Sequence, residues 1–562
     1  MLTKDQERAQ LHKSIWQIAN QLRWSVDGWD FKQYVLGMLF YRFISENLTK
    51  YLNDSEPDAD FDYAKLTDQQ AEFGREETVK DKGFYILPSE LFANVVKNAR
   101  NNPNLNETLS KVFKNIEASA NGAESEDDIK GLFDDFNVNS NKLGNTVEQK
   151  NKKLTDLLES IADLKLWNYA DNTIDAFGDA YEYLMTMYAS NAGKSWGEFF
   201  TPQEVSELLA EITTLGKTQV NKVYDPCCGS GSLLLKFAKV LGKENIRQGF
   251  YGQEINITTY NLCRINMFLH DINYKNFNIA HGDTLLHPRH RDQEPFDAIV
   301  SNPPYSIRWE WDENPILIND PRFSPAGVLA PKSKADLAFT MHMLSWLSSS
   351  GTAAIVEFPG VLYRSGAEQK IRKYLVENNY IEAVIQLPPD LFFGTSIATC
   401  IIVLKKNKTD NKTLFIDASA EFVRGNAKNT LTEQNRQKIL TAYRDRQDVQ
   451  YFCTLIDNAA IADNDYNIAV SSYVEQQDTK EVIDIKELNA KIAEIVARQS
   501  QLRAEIDQIV AEIEGDDLSN LSQTRKFRIC RQRVKKNDLV KFCILHEWKM
   551  KYPYLWGGRW SF

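Results

Sequence analysis

Apolar residues along this chain follow three successive rhythms. From Leu11 to Leu48 the positions Ile15, Ile18, Leu22, Tyr34, Met38, Tyr41 and Ile44 recur at helical spacing, which predicts a helical beginning. Residues 54–62, 101–106 and 118–128 interrupt it as polar loops. Pro88-Ser89-Glu90 predicts a helix start with Ser89 as its cap, and Leu154 to Leu166 and Ile174 to Met187 read as further helices. From Asn221 the rhythm shortens. Asn221 to Asp225, Gly249 to Gln253, the stretch before Gly282-Asp283, Phe296 to Val300, Thr352 to Phe358, Ile381 to Leu387 and Ala398 to Leu404 are brief, mostly apolar runs with helical stretches between them. Seven such strands alternating with helices predict a doubly wound α/β sheet. From Ile485 the apolar positions step by three and four through Leu488, Ile492, Ile495, Leu502, Ile506, Ile509 and Ile513, with Gln499 alone breaking the row. This heptad seam predicts a coiled-coil helix; a lone amphipathic helix on a domain surface is the plainer alternative.

Polar residues gather where the strands end, which is where open α/β sheets bind ligands. Ser301-Asn302-Pro303-Pro304-Tyr305 follows the run Phe296 to Val300, and the prolines stop that strand because they donate nothing to a ladder. An exocyclic amine on a nucleobase or an amide is a poor nucleophile, its lone pair being delocalised into the π-system. A site that methylates it must hold both N–H bonds and leave the lone pair facing the electrophile. The Asn302 side-chain oxygen and the Pro303 carbonyl can accept those two bonds, and Tyr305 offers a ring face against which an extruded base can stack. Asn302, Pro303, Pro304 and Tyr305 are therefore the candidate catalytic residues; an Asn-Pro turn without chemistry is the alternative. Upstream, Asp225 runs into Pro226-Cys227-Cys228-Gly229-Ser230-Gly231-Ser232 and then a helix from Leu233 to Val240. The glycines let the backbone approach a ligand, although their spacing is not that of the dinucleotide fingerprint. Glu254 can take both hydroxyls of a ribose, and Asp283 can accept from an adenine amino group.

In order, Asp225-Pro226-x-x-Gly229-x-Gly231, Glu254, Asp283 and Asn302-Pro303-Pro304-Tyr305 resemble the successive motifs of S-adenosylmethionine-dependent amino-methyltransferases. Gly197-Glu198-Phe199-Phe200-Thr201-Pro202, followed by Gln203, resembles the segment that covers the cofactor's methionine end in adenine-N6 DNA methyltransferases. As far as Gly515 the chain is similar to the modification subunit of type I restriction-modification systems. The agreement extends to Trp16-Gln17-Ile18-Ala19, Asp179-Ala180-Tyr181-Glu182-Tyr183-Leu184 and Phe415-Ile416-Asp417-Ala418-Ser419.

The resemblance implies a class I S-adenosylmethionine-dependent methyltransferase fold: a Rossmann-like doubly wound sheet whose last strand is antiparallel, with an N-terminal helical domain and a C-terminal coiled-coil helix. The expected division is 1–165 helical domain, 166–475 methyltransferase domain, 476–515 coiled-coil helix for subunit assembly and 516–562 basic aromatic tail. S-adenosylmethionine is the implied cofactor, held by the segment Gly197 to Gln203 with Asp225, Gly229, Ser230, Gly231, Ser232, Glu254 and Asp283. Tyr305, Asp336 and Phe339 are the implied target-base pocket, and no metal is implied. The implied reaction is methylation of adenine N6 in DNA at a sequence chosen by a separate specificity subunit, which docks on the C-terminal helix. A second methyltransferase copy and an ATP-dependent restriction subunit complete the implied complex. Two rivals remain. Asn-Pro-Pro-Tyr also serves methylation of glutamine in proteins or of guanine in ribosomal RNA, and a non-catalytic assembly subunit can keep the fold.

Composition alters this picture in a few places. With 66 Lys and Arg against 77 Asp and Glu, the formal net charge is −11, the wrong sign for a chain that grips DNA unaided; a partner is expected to supply the grip. The tail after Gly515 is basic, interleaves Phe527, Phe542 and Trp548, and departs from the family. The chain has no run of about eighteen apolar residues and no apolar signal core at its start, and its cysteines lack framework spacing, so a cytoplasmic location without membrane attachment is expected. Gly193-Lys194-Ser195 lacks the earlier glycine of a phosphate-binding loop, and His281, His287 and His290 surround a proline-containing loop without zinc spacing. Cys227, although it resembles the Pro-Cys nucleophile of cytosine-C5 methyltransferases, lies in the cofactor loop, and attack by nitrogen needs no covalent enzyme intermediate. The segment between Tyr305 and Asp336, with Trp309, Trp311 and little periodicity, is expected to order around the target adenine.

Overall fold

The computed structural model describes residues 4–23, 30–58, 60–164, 166, 176–191, 201–310, 314–392, 395–425, 428–476 and 485–516. The chain forms two compact units, Met1–Gln477 and Asp478–Phe562.

The first unit begins with helices, among them Lys4–Arg23, Asp30–Ser55, Leu105–Ala118 and Val147–Ala162. The last of these starts at Thr146, which forms a capping box with Gln149, and buries Leu154, Leu157, Leu158 and Ile161. Aromatic rings fill the bundle. Phe113 stacks on Phe133 with centroids 4.4 Å apart, and Tyr41 meets Phe92 and Phe113 edge-on. Ser89 is not a helix cap as expected: it lies in a 3₁₀ turn, Pro88–Glu90, and its hydroxyl and amide both donate to Asp68, while the helix Phe92–Asn98 starts at Leu91. Polar contacts fasten the bundle to the helix Ile257–Leu269. Arg264, only 2% exposed, donates to the carbonyls of Asp127 and Lys130 and to Asn261, and lies over the Tyr260 ring. These bonds from its two terminal nitrogens offset much of the cost of burying the guanidinium, whose Nε has no partner.

The strands are β1 (Val223–Asp225), β2 (Phe250–Glu254), β3 (Phe277–His281), β4 (Phe296–Ser301), β5 (Leu347–Glu357), β6 (Ile381–Gln386), β7 (Cys400–Leu404), β8 (Lys412–Asp417), β9 (Val423–Arg424), β10 (Asn429–Thr430) and β11 (Cys453–Asp457). Nine of them form one sheet in the order β11-β8-β6-β7-β5-β4-β1-β2-β3, and β9 pairs with β10 separately. The pairs from β5 through β4, β1 and β2 to β3 are parallel. β7 runs antiparallel between β5 and β6, as the resemblance implied for the seventh strand. The sheet exceeds the expected seven strands by β8 and β11. These two extend one edge, where Thr454, Leu455 and Ile456 of β11 are only half-buried and no continuous apolar run announces the strand. The central strands are covered on both faces. Ala298, Val300, Ala354 and Val356 join the core shared with the helical bundle, while Ile299, Ala353 and Ile355 face the core around the helix Asp336–Trp346.

The segment after Tyr305 is more structured than its sequence suggests. It contains the short helix Pro315–Asn319; buried Trp309 donates its indole N–H to the Pro331 carbonyl and packs edge-on against Phe323. Arg322 is buried with both oxygens of Asp320 and the carbonyls of Thr284 and Leu285. Trp311 lies outside the described residues.

In the second unit the described element is the 32-residue helix Ile485–Asp516. Leu488, Ile492, Ile495, Leu502, Ile506 and Ile509 of its seam are between 46% and 65% exposed, an apolar stripe left uncovered. Residues 517–562, which include nearly all of the basic tail, lie outside the described residues. Among the described residues no helix is long and apolar enough to cross a membrane.

Candidate active site

β1 and β4 are neighbours, and the chain leaves this point in opposite directions across the sheet, toward β2 and toward β5. Such a switch point opens a crevice at the strands' C-terminal ends. Asp225 ends β1 fully buried. Its Oδ1 accepts from the Cys227 amide and from the Ser301 hydroxyl, each at 2.9 Å, so one oxygen ties the glycine loop to the end of β4. Burial raises the Asp225 pKa to about 7, although those two donors favour the carboxylate. Asp225 therefore shapes the loop from beneath rather than lining the crevice.

The loop itself needs its glycines. Gly229 and Gly231 have φ of 52° and 80°, and a Cβ on Gly231 would stand 2.8 Å from the Cys263 sulfur. Asn266, buried in the helix Ile257–Leu269, donates to the Ser230 carbonyl, and the Ser230 and Ser232 hydroxyls are 3.1 Å apart. Glu254, at the end of β2, accepts from the Gly229 amide through Oε2 at 3.0 Å and from the Asn256 amide through Oε1 at 2.8 Å. Burial pushes its pKa up, and these backbone donors oppose the rise.

Across the crevice, the Asn302 side-chain amide donates to the Thr201 hydroxyl at 3.0 Å, and its Oδ1 accepts from the Tyr305 hydroxyl at 2.6 Å. Thr201, Cys227, Cys228, Gly229, Ser230, Ser232, Leu233 and Asn302 line one cleft of about 20 Å³, room for roughly one water. Three segments distant in sequence thus converge. Pro303 is buried, and Pro304 and Tyr305 are half-buried. The turn continues through Ser306, a non-glycine residue with φ 52°, whose amide donates to Asp336 Oδ1 at 3.0 Å.

Other expected site residues stand elsewhere or are otherwise engaged. Gly197, Glu198, Phe199 and Phe200 lie outside the described residues. Gln203 lines a different, larger cavity of about 810 Å³ with Glu182, Glu207 and Lys236. Asp283 uses Oδ1 to accept from the amides of Leu285 and Leu286, capping its own turn. Phe339 is packed in the core around its helix and presents no ring face to a base; Asp336 is buried as well. The Asn302 oxygen, expected to be free for a substrate amine, is taken by Tyr305. His290 is buried against the Gly252 carbonyl and His281 bonds the Ile255 carbonyl. Among the described residues no group of three or more His, Cys, Asp or Glu could hold a metal ion. Burial, with Asp225 and Glu254 nearby, pushes the Cys227 thiol well above its usual range, which makes it a poor nucleophile. Ser301 and Asn266 hold the glycine loop in place, a part the sequence had not assigned to them. Their one sequence signal is a polar residue at a position the apolar rhythm assigns to the interior.

Comparison with known proteins agrees with this geometry. Residues 172–482 match the N-6 DNA methylase family and residues 11–161 match the HsdM N-terminal domain. The chain is 50% identical over 531 residues to the methylase subunit of the type I restriction enzyme MpnII from Mycoplasma pneumoniae, covering 91% of this chain and 98% of that one. It is 33% identical over 360 residues to the MjaVII methylase subunit from Methanocaldococcus jannaschii, covering 62% of this chain and 61% of the other. The crystal structure of the type I restriction-modification methyltransferase subunit from Streptococcus thermophilus aligns with a TM-score of 0.74 at 36% identity, covering 83% of this chain and 100% of that one. With a nine-stranded class I methyltransferase sheet carrying these motifs at its switch point, the chain belongs to the methylase subunits of type I restriction-modification systems, the bearers of an N6-adenine DNA methyltransferase domain.

Proposed function

We propose that this chain methylates the N6 amino group of adenine in DNA with S-adenosylmethionine as donor, that a specificity subunit chooses the site, and that Asn302 holds the amine. The observation that carries the reading is the cleft shared by Asn302, Thr201 and the glycine loop. When bound, S-adenosylmethionine supplies an electrophilic methyl group. The residues fit it: Gly229 and Gly231 offer a backbone without side chains, and Glu254 keeps a lone pair for ribose hydroxyls because a carboxylate has about four acceptor sites and the amides of Gly229, Ile255 and Asn256 use the others. Asp283 has a second oxygen for an adenine amino group.

Thr201 engages the Asn302 amide nitrogen, which turns Oδ1 toward the incoming base. Oδ1 and the Pro303 carbonyl then accept the two N–H bonds, which withdraws the nitrogen lone pair from the ring and stabilises the positive charge that grows on nitrogen during attack. Tyr305 releases Asn302 and offers its ring to the extruded adenine. Division into 1–165, 166–475 and 476–515 is supported by the change of apolar rhythm, and the exposed seam of helix Ile485–Asp516 docks the specificity subunit. A second copy of this chain and an ATP-dependent restriction subunit complete the assembly, and its net charge of −11 suits a subunit that borrows its grip on DNA, in the cytoplasm. No observation favours glutamine or ribosomal guanine as the acceptor.

The test is methyl transfer from labelled cofactor into DNA by this chain with its specificity subunit. Wild type incorporates label, and Asn302→Ala falls by about a hundredfold or more while still binding DNA. A reconstituted wild type that leaves DNA unlabelled, or a fully active Asn302→Ala, rejects the mechanism.

A further inference from the structure

Two buried carboxyl groups stand behind Tyr305, and the reaction as described uses neither for chemistry. Asp336 opens the helix Asp336–Trp346 and Glu357 ends β5. Each has one oxygen engaged. Asp336 Oδ1 accepts from the Ser306 amide, and Glu357 Oε1 accepts from the hydroxyl of Thr340, one turn along the same helix, at 3.0 Å. Each also has one oxygen, Asp336 Oδ2 and Glu357 Oε2, that is buried without a partner. Neither carboxyl has a cation partner among the described residues. Charged carboxylates so enclosed would repel each other, and a proton on one of them removes that repulsion.

The surroundings of Glu357 favour its protonated form. Burial pushes the Glu357 pKa well up, Asp336 and then Glu368 push it further, and the Thr340 hydroxyl and the Phe358 amide oppose them. The other groups facing it are Cys400, whose thiol donates to the Glu357 carbonyl, and Tyr305, which feels both Glu357 and Asp336; Glu368 is itself paired with Arg364 and lies near Lys334. The same carboxyl cluster anchors the turn that carries the target-base ring. Ser306 occupies the left-handed region, which a residue with a side chain rarely holds unaided. Its amide bond to Asp336 and the bond from the Ala335 amide to the Ile307 carbonyl keep it there.

We infer that protonated Glu357 is a positioning residue for methyl transfer: beside Asp336 it keeps the Tyr305–Ser306 turn in place, and its ionisation loosens that turn and slows the reaction. The inference rests on the reading of Asn302 and Tyr305 proposed above. A carboxyl whose pKa is raised keeps its proton to higher pH than an ordinary carboxyl and loses it as the pH climbs, so kcat falls on the alkaline side.

The experiment measures kcat against pH for the complex with its specificity subunit, at saturating DNA and cofactor. Glu357→Gln keeps a donor and cannot ionise: it holds kcat at neutral pH within about threefold of wild type and moves the alkaline fall upward by about one pH unit or more. Glu357→Ala lowers neutral kcat by about tenfold or more, with cofactor affinity and melting temperature tracked to separate unfolding from mispositioning. An alkaline limb unchanged in Glu357→Gln, a Gln variant as impaired as Ala, or an Ala variant as active as wild type overturns the inference. Full activity in Asn302→Ala would instead reject the underlying mechanism, so the two failures are distinguishable.

Discussion

Replacing Tyr305 by phenylalanine removes one oxygen and keeps the ring. In the structure that oxygen donates to Asn302 Oδ1 at 2.6 Å, on the acceptor proposed for the target amine. A base arriving in the pocket must first break this bond. A neutral hydrogen bond contributes about 0.5–1.5 kcal/mol net to stability, so about 1 kcal/mol of base-binding energy is spent displacing the hydroxyl. Without it, the extruded base should occupy the pocket about fivefold more tightly. Alanine at the same position should act the opposite way, losing about 1–3 kcal/mol of stacking. The assay is fluorescence of 2-aminopurine substituted at the target position, which brightens when the base leaves the stack, titrated with the complex containing each variant. The expected order of midpoints is Phe lowest, wild type next, Ala highest. A Phe variant that holds the extruded base more weakly than wild type would refute the reasoning, because the hydroxyl would then be helping the occupied state.

Gly231→Ala should destabilise the first unit by about 2–5 kcal/mol, combining about 1–2 kcal/mol for left-handed backbone with about 1–3 kcal/mol for overpacking against Cys263 and Met267. Denaturant unfolding measures it, and a loss under about 1 kcal/mol would contradict the fit of the loop. Cys227→Ala should keep methylation near wild type, since its thiol stays protonated; a folded, cofactor-binding and inactive variant would restore a role for the sulfur. Ile495→Asp with Ile506→Asp should abolish co-purification with the specificity subunit while leaving cofactor binding intact, and undiminished assembly would remove the exposed seam as the docking surface.

Strands buried on both faces were legible as apolar runs. β4, β6 and β7 lie within one or two residues of the runs that announced them, because a strand covered twice is mostly apolar. β11 was not, since an edge strand mixes exposed and buried positions too briefly for a rhythm, and β8, Lys412–Asp417, was missed although Thr413 to Ile416 are buried. At the site, residue types were readable because the chemistry demands them; which oxygen meets which donor was not. Thr201 and Asn302 are 101 residues apart, and no local period encodes their bond. Asp283 satisfies its own turn and Phe339 faces the core for the same reason: a side chain's direction depends on packing that only the assembled sheet defines. Glu357 looked like the polar end of an apolar strand, and only its enclosure beside Asp336 gives it meaning.

The single oxygen of Asp225 that holds both Cys227 and Ser301 works as a hinge pin between two halves of one machine. The glycine loop and the end of the strand that leads into Asn302 are thereby registered to one another through one buried atom.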